Sequence, residues 1–246
     1  MIVLEKELSK PYEMIDMVTT PDGSLVAMVH CNNCTSDLNA WVNLFKEYQE
    51  LLGIPVDMDE IYGKLYNHAL TGNTDCGGLI SYNYISGEPV TGLAEGRPLF
   101  VRSANDKFNL ANFMRAHLHA SAGALKIGND TLFTEEKIKV DRITGHGGLF
   151  RTKGVGQRIL AAAINSPISV METAGEGGAW GIALLGSYLV NNDKQQNLAD
   201  FLDEKVFAGN AGIEVSPTAE DVEGFNAYIE NYKANLPVEE AAVKSK

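Results

Sequence analysis

The stretch from residue 139 to residue 190 constrains this chain more than any other. A strand-like run at 139–143 leads into Gly145-His146-Gly147-Gly148, and a helical run follows from Val155 to Ile164. A second strand-like run at 168–171 precedes a cluster at Gly175, Gly177, Gly178 and Gly181, which opens an apolar helix reaching Val190. Strands and helices that alternate in this way belong to an α/β fold. Glycine at a strand end lets backbone come close to a flat ligand, so the unit reads as half of a nucleotide site.

Other runs extend the alternation. Residues 24–30 are short, β-rich and follow the Pro21-Asp22-Gly23 turn signal, which predicts a strand. Residues 37–52 place Leu38, Trp41, Val42, Phe45 and Leu52 near helical spacing behind the N-cap types Thr35, Ser36 and Asp37. Residues 57–70 predict a second helix with acids in its first turn, stopped by Gly72 and Asn73. A strand is expected at 78–85 and a surface loop, rich in glycine and proline, at 86–98. Asn109 caps the best-patterned helix, whose stripe of Phe113, Met114, His117, Leu118, Ala122 and Leu125 runs to about Ile127. Helices at 195–206 and 218–234 flank a glycine turn at 209–212. The last residues lack an apolar pattern and are expected to fray.

Composition narrows the function. With 246 residues, 45% hydrophobic, 21% charged, the chain can bury one large core or two small ones. A net charge of −12 argues against nucleic acid as a partner, because phosphate neutralisation requires lysine and arginine. No stretch approaches the roughly 20 apolar residues of a membrane span, and the charged N-terminus does not suit a signal peptide. Three cysteines are too few for a disulfide framework, so reduced thiols and a cytoplasmic location are expected.

Several chemical signals dissolve under their bland reading. Cys31 and Cys34 have CxxC spacing, but no second pair completes a zinc site, and two structural thiols suffice. Gly175-Glu176-Gly177 invites a dinucleotide-binding reading, yet that pattern demands glycine where Trp180 stands. It is kept only as an NAD-binding alternative. His117 on an apolar helix face reads as a core residue, and His146 as a turn residue with nucleotide contact as the alternative. Glu172 and Glu176 read as turn or cap residues.

Six features in order resemble the FGGY family of carbohydrate kinases. They are Trp41 in its helix, the Ser86-Gly87-Glu88 turn, the Arg115-Ala116 pair, Gly147-Gly148 with Gln157, the Gly181-Ile182-Ala183 helix, and Pro217 followed by Phe225, Tyr228 and Tyr232. The resemblance implies the C-terminal half of a two-domain sugar kinase with an actin-like (ribonuclease H-like) ATPase fold. On that basis residues 1–191 form the nucleotide-binding domain, 192–236 a helical extension of it, and 237–246 a disordered tail. ATP would lie on Gly147, Gly148, Leu149, Gln157, Gly178 and Gly181. Arg151-Thr152-Lys153 departs from the short polar residue usual there, and His119 from an acidic one.

The resemblance also implies a transfer of the ATP γ-phosphate to a ketopentose such as xylulose or ribulose, with Mg²⁺ held mainly by the phosphates. The family's Asp-x-Gly-Thr hairpin, catalytic carboxylate and Gly-Thr-Gly loop have no equivalent here, and Met1 to Glu5 resembles the strand that follows the last of these. No catalytic residue is therefore assigned, and the chain alone is expected to be inactive. The sugar would be met mainly by the other half, and the face that half covers would be sticky enough to bring copies together. A non-catalytic binding or assembly module is the alternative.

Overall fold

A computed structural model describes residues 1–172, 174, 177–191, 196–208 and 212–245. The chain opens with three antiparallel strands, β1 (Ile2–Val3), β2 (Ile15–Thr19) and β3 (Leu25–Val29), arranged β1-β3-β2. Two helices follow, α1 (Ser36–Leu51) and α2 (Met58–Ala69). The side chain of Asp57 accepts from the Glu60 amide at 3.1 Å and so starts α2.

Next come a two-stranded antiparallel sheet of β4 (Ile80–Tyr82) and β5 (Leu99–Val101), then the long helix α3 (Leu110–Thr134). Asn109 caps α3 by accepting from the Asn112 amide at 2.9 Å. The α/β unit is β6 (Ile143–Gly145), α4 (Val155–Ile164), β7 (Ile168–Val170) and α5 (Gly177–Asn191). A short helix α6 (Leu198–Phe201) runs into a π turn at Leu202–Val206, and β8 (Ile213–Val215) and α7 (Ala219–Lys244) close the chain. In the third sheet β6 and β7 are parallel, and β8 adds to β7 antiparallel.

α3 holds these parts together. Every residue from Ala111 to Ala124 is buried, so the helix is wrapped by protein rather than amphipathic. It packs on α2, α4 and β4, and further along Gly128 lets it close on Val29 of β3. The main core gathers Leu38, Val42, Leu79, Met114, Leu118, Ile159, Phe225 and Tyr228. A smaller one joins Ile15, Ala27, Val29 and Leu132.

Several expectations need correction. The strand expected at 139–143 begins only at Ile143, where its partner Ile168 begins. The strand expected at 78–85 is confined to Ile80–Tyr82, paired with Leu99–Val101. The 86–98 segment is not wholly a surface loop, because Glu88 is fully buried. Of the helix expected at 195–206, residues 198–206 are helical, and most of the turn expected at 209–212 lies outside the described residues.

The tail expected to be disordered from 237 is instead the end of α7, which continues through Pro237 to Lys244. Its anchor is Glu239, fully buried, whose Oε1 accepts from the Arg97 amide at 2.6 Å. No helix among the described residues is long and apolar enough to cross a membrane.

Candidate functional site

The glycine turns at the ends of β6 and β7 lie against each other. The Gly147 amide donates to the Ala174 carbonyl at 2.7 Å, and a Cβ on Gly177 would stand 2.8 Å from His146 Nδ1. Gly147 has φ of 111°, a left-handed conformation that glycine adopts without strain. After it, Gly148–Phe150 forms a single 3-10 turn, and Gly154, at φ 79°, leads into α4. An added Cβ on Gly147, Gly148, Gly178 or Gly181 would meet nothing within 4 Å. Four of the six expected contact positions therefore present bare backbone to open space.

The other two turn inward. Leu149 is 9% exposed and belongs to the main core, where Gly156 leaves room for it. Gln157 is buried, and its Nε2 donates to the carbonyls of Ile168 at 3.0 Å and Ile213 at 2.8 Å. Its amide nitrogen ties α4 to β7 and β8. The Ile168 bond is buried and the Ile213 bond half-buried, and one amide nitrogen serves both carbonyls.

Beside the turns opens a cavity of about 250 Å³. Arg142, Thr144, His146, Met171, Gly177, Trp180, Gly181, Leu184 and Phe207 line it. The three polar residues are alternate positions of one strand and its extension, which puts them on one face. Trp180 and Phe207 meet edge to face, with centroids 5.7 Å apart. Period two made Arg142 and Thr144 findable from the sequence once β6 was placed. Phe207 carried no such signal, because it arrives from beyond α6.

Trp180 also bears on the dinucleotide alternative. The glycine that it replaces would serve close helix–strand packing, and here the indole lines the cavity instead. Gly175 and Glu176 lie outside the described residues.

Titratable groups elsewhere are structural. Asp221 is 1% exposed and receives Arg115 Nη2 at 2.7 Å, Arg158 Nε at 2.7 Å and Thr218 Oγ1 at 2.8 Å. Burial pushes its pKa up, but the bonds from Arg158, Thr218 and Arg115 outweigh that and hold the carboxyl down at about 2. His119 takes Arg115 Nε at 3.4 Å on one nitrogen and Cys76 Sγ at 3.4 Å on the other. Burial keeps it neutral. This explains its departure from an acidic residue: Asp221 supplies the carboxylate for Arg115.

His117 brings together a serine and an aspartate that the sequence does not pair. Ser81 Oγ lies 2.8 Å and Asp37 Oδ2 3.6 Å from the same ring nitrogen, Nδ1. A hydrolytic triad requires them on opposite nitrogens, and Nε2 here is buried without a partner. Burial lowers the ring to about 3, so His117 is a neutral core residue packed among Trp41, Phe100 and Phe113.

The cysteines are free thiols. Burial, reinforced by Glu88, pushes Cys31 up to about 12, which is the opposite of an activated nucleophile. Among the described residues no group of three His, Cys, Asp or Glu side chains could hold a metal ion.

Comparison with known proteins gives the family and the fold. The model of the FGGY family of carbohydrate kinases, C-terminal domain, matches residues 1–190. Comparison with curated proteins finds no match. Among solved structures, a ligand-bound xylulose kinase from Lactobacillus acidophilus superposes with a TM-score of 0.66 at 18% identity, covering 95% of this chain and 45% of that one. A xyloylose kinase from Brucella ovis gives 0.65 at 18% identity over 96% of this chain and 44% of its own. Glycerol kinase from Plasmodium falciparum, solved with ADP, gives 0.56 at 17% identity over 88% and 38%.

At these identities the structures speak for the fold alone, an actin-like ATPase domain, and this chain spans less than half the length of each. The family match, covering most of the sequence in the order of the glycine turns and their helices, gives the conclusion that the chain belongs to the FGGY family of carbohydrate kinases and represents its C-terminal domain.

Proposed function

We propose that this chain supplies the nucleotide-binding side of a sugar kinase that transfers the γ-phosphoryl group of ATP to a hydroxyl of a ketopentose, with xylulose the first candidate. One observation carries the reading: the turn at Gly147-Gly148 touches Ala174 ahead of α5, and Gly147, Gly148, Gly178 and Gly181 leave four side-chain-free positions facing open space. Bare backbone there lets a nucleoside lie flat against the wall. When bound, ATP supplies the phosphoryl group, and this chain's residues position the nucleoside end. Magnesium finds no ligand set among the described residues, and no step is assigned to it.

Phosphoryl transfer depends on aligned phosphates and a base for the attacking hydroxyl. This sequence has no Asp-x-Gly-Thr hairpin and no Gly-Asp carboxylate, so those parts belong to the rest of the kinase. The chain by itself is expected to release no ADP in response to sugar.

Thermal unfolding tests the nucleotide reading. Ligand at a hundred times its Kd stabilises by about 2.7 kcal/mol, a rise of roughly 5–10 °C for a chain of this size. ATP is expected to give such a rise and NAD none. Gly148→Leu places its side chain in open space, so it keeps the unliganded Tm and loses the ATP shift. A variant that binds ATP as well as the parent does would remove the glycine wall from the proposal.

A second reading, a binding module without catalysis, draws on α5. None of its residues is buried, and Ile182, Leu189 and Val190 are all more than 70% exposed. Failure of phosphoryl transfer after the missing half is restored would favour it.

A further inference from the structure

We infer that the outer face of α1 is an interaction surface whose partner is a second copy of this chain, bound antiparallel about a twofold axis near Tyr48. α1 has more apolar surface than its core contacts use. Leu38, Val42 and Phe45 turn toward the core, where α2 and α3 pack against the helix. Leu44, Tyr48 and Leu51 recur at i, i+4 and i+7 as a second row, and Leu52 and Ile54 extend it past the end of the helix. Tyr48 is 59% and Leu51 82% exposed, and no described residue covers them. Apolar side chains exposed singly are ordinary, but these five fall within one short segment and form a patch.

The apolar surface continues toward the start of α3. Trp41 and Phe45 both meet Phe113, at centroid distances of 5.0 and 6.3 Å, and Phe113 meets the exposed Phe108 at 6.3 Å. With Phe108 the exposed side chains offer on the order of 600 Å² per copy. A twofold pair then buries about 1,200 Å², the lower edge of a specific interface. Charge favours a second copy over a membrane, which would call for basic residues around the patch. The one basic residue of α1, Lys46, is bonded to Glu50 at 2.6 Å. Two chains of net charge −12 repel each other, yet the row of Leu44, Tyr48 and Leu51 brings no like charges into contact. Antiparallel pairing also sets unlike charges together. α1 ends with Glu47 and Glu50 and no basic residue in its last turn, and the helix dipole adds to that negative end. Arg102 stands 4.6 Å over the Phe108 ring, at the other end of the patch. In the antiparallel pair Arg102 of each copy comes to the acidic end of α1 in the other.

Sedimentation velocity of the full chain tests this, alongside Tyr48→Lys, Leu51→Lys and Leu189→Lys. All three positions are exposed, so the folded state of each variant is expected to persist, which circular dichroism checks. The parent chain is expected to sediment as a dimer at about 50 µM and to dissociate on dilution. Tyr48→Lys and Leu51→Lys are each expected to weaken the pair about tenfold or more, and Leu189→Lys on α5 to leave it unchanged. Arg102→Glu is expected to weaken it about fivefold, and Arg102→Glu combined with Glu47→Arg to restore it.

Three other outcomes decide against the inference. A parent chain that stays monomeric at that concentration refutes it directly. A dimer that survives both α1 substitutions, or that only Leu189→Lys dissociates, places the contact elsewhere and overturns the assignment to α1. If the double exchange of Arg102 and Glu47 fails to restore what Arg102→Glu loses, the antiparallel arrangement falls.

Discussion

Asp221 concentrates more of the fold than any other single residue. It sits fully buried between two arginines, and Arg115 is as buried as Asp221 itself. Removing one partner of such a pair strands the other, at a cost of about 3–5 kcal/mol. Asp221→Ala is expected to lower unfolding stability by that order in urea titration. Its carboxyl is held below the ordinary value, so its contribution is present above the unfolded pKa near 3.8 and is lost as pH falls toward about 2. The full shift corresponds to about 2 kcal/mol, and Asp221→Asn should remove that part of the acid dependence. Gln157 is the contrasting case. Gln157→Leu leaves two strand carbonyls unpaired and is expected to cost about 2–3 kcal/mol. Nucleotide affinity of the folded variant should stay unchanged, and a selective loss of affinity would restore Gln157 to the binding site. What its amide meets was not legible in the sequence, because the carbonyls lie 11 and 56 residues away.

Among the elements, those with local causes were legible and those with distant causes were not. α4 spans Val155–Ile164 as its periodicity predicts, and α2 and α3 begin at the caps Asp57 and Asn109. β2, β5 and β8 escaped notice, and each is defined by the strand it pairs with. α7 overran its expected end because Glu239 finds Arg97. Burial raises the Glu239 carboxyl, offset in part by the Arg97 amide. A raised carboxyl contributes fully below its unfolded pKa, and that contribution is lost as pH rises through the folded value. Amides 238–244 are therefore expected to exchange faster at pH 8 than at pH 5 after correction for intrinsic rates. Equal protection at both values would mean that Glu239 does not govern the end of the helix.

At the scale of the whole molecule, α3 is shared by both cores while α5 belongs to neither. Burial of this kind sets how cooperatively a region opens. Amides of α3 are expected to exchange only through global unfolding, and those of α5 through local opening at much lower free energy. Comparable protection in the two helices would show that α5 is packed more firmly than its exposure indicates.

The sequence alone was enough for the α/β class, the family and the capped helices. Each of these depends on neighbours within a turn or two, or on composition. Tertiary structure alone decided that Leu149 and Gln157 face inward, that Arg115 pairs with Asp221 and that Phe207 closes a cavity with Trp180. Those outcomes join residues 27 to 106 positions apart, or depend on which side of a chain meets the core, and only packing brings such groups within reach.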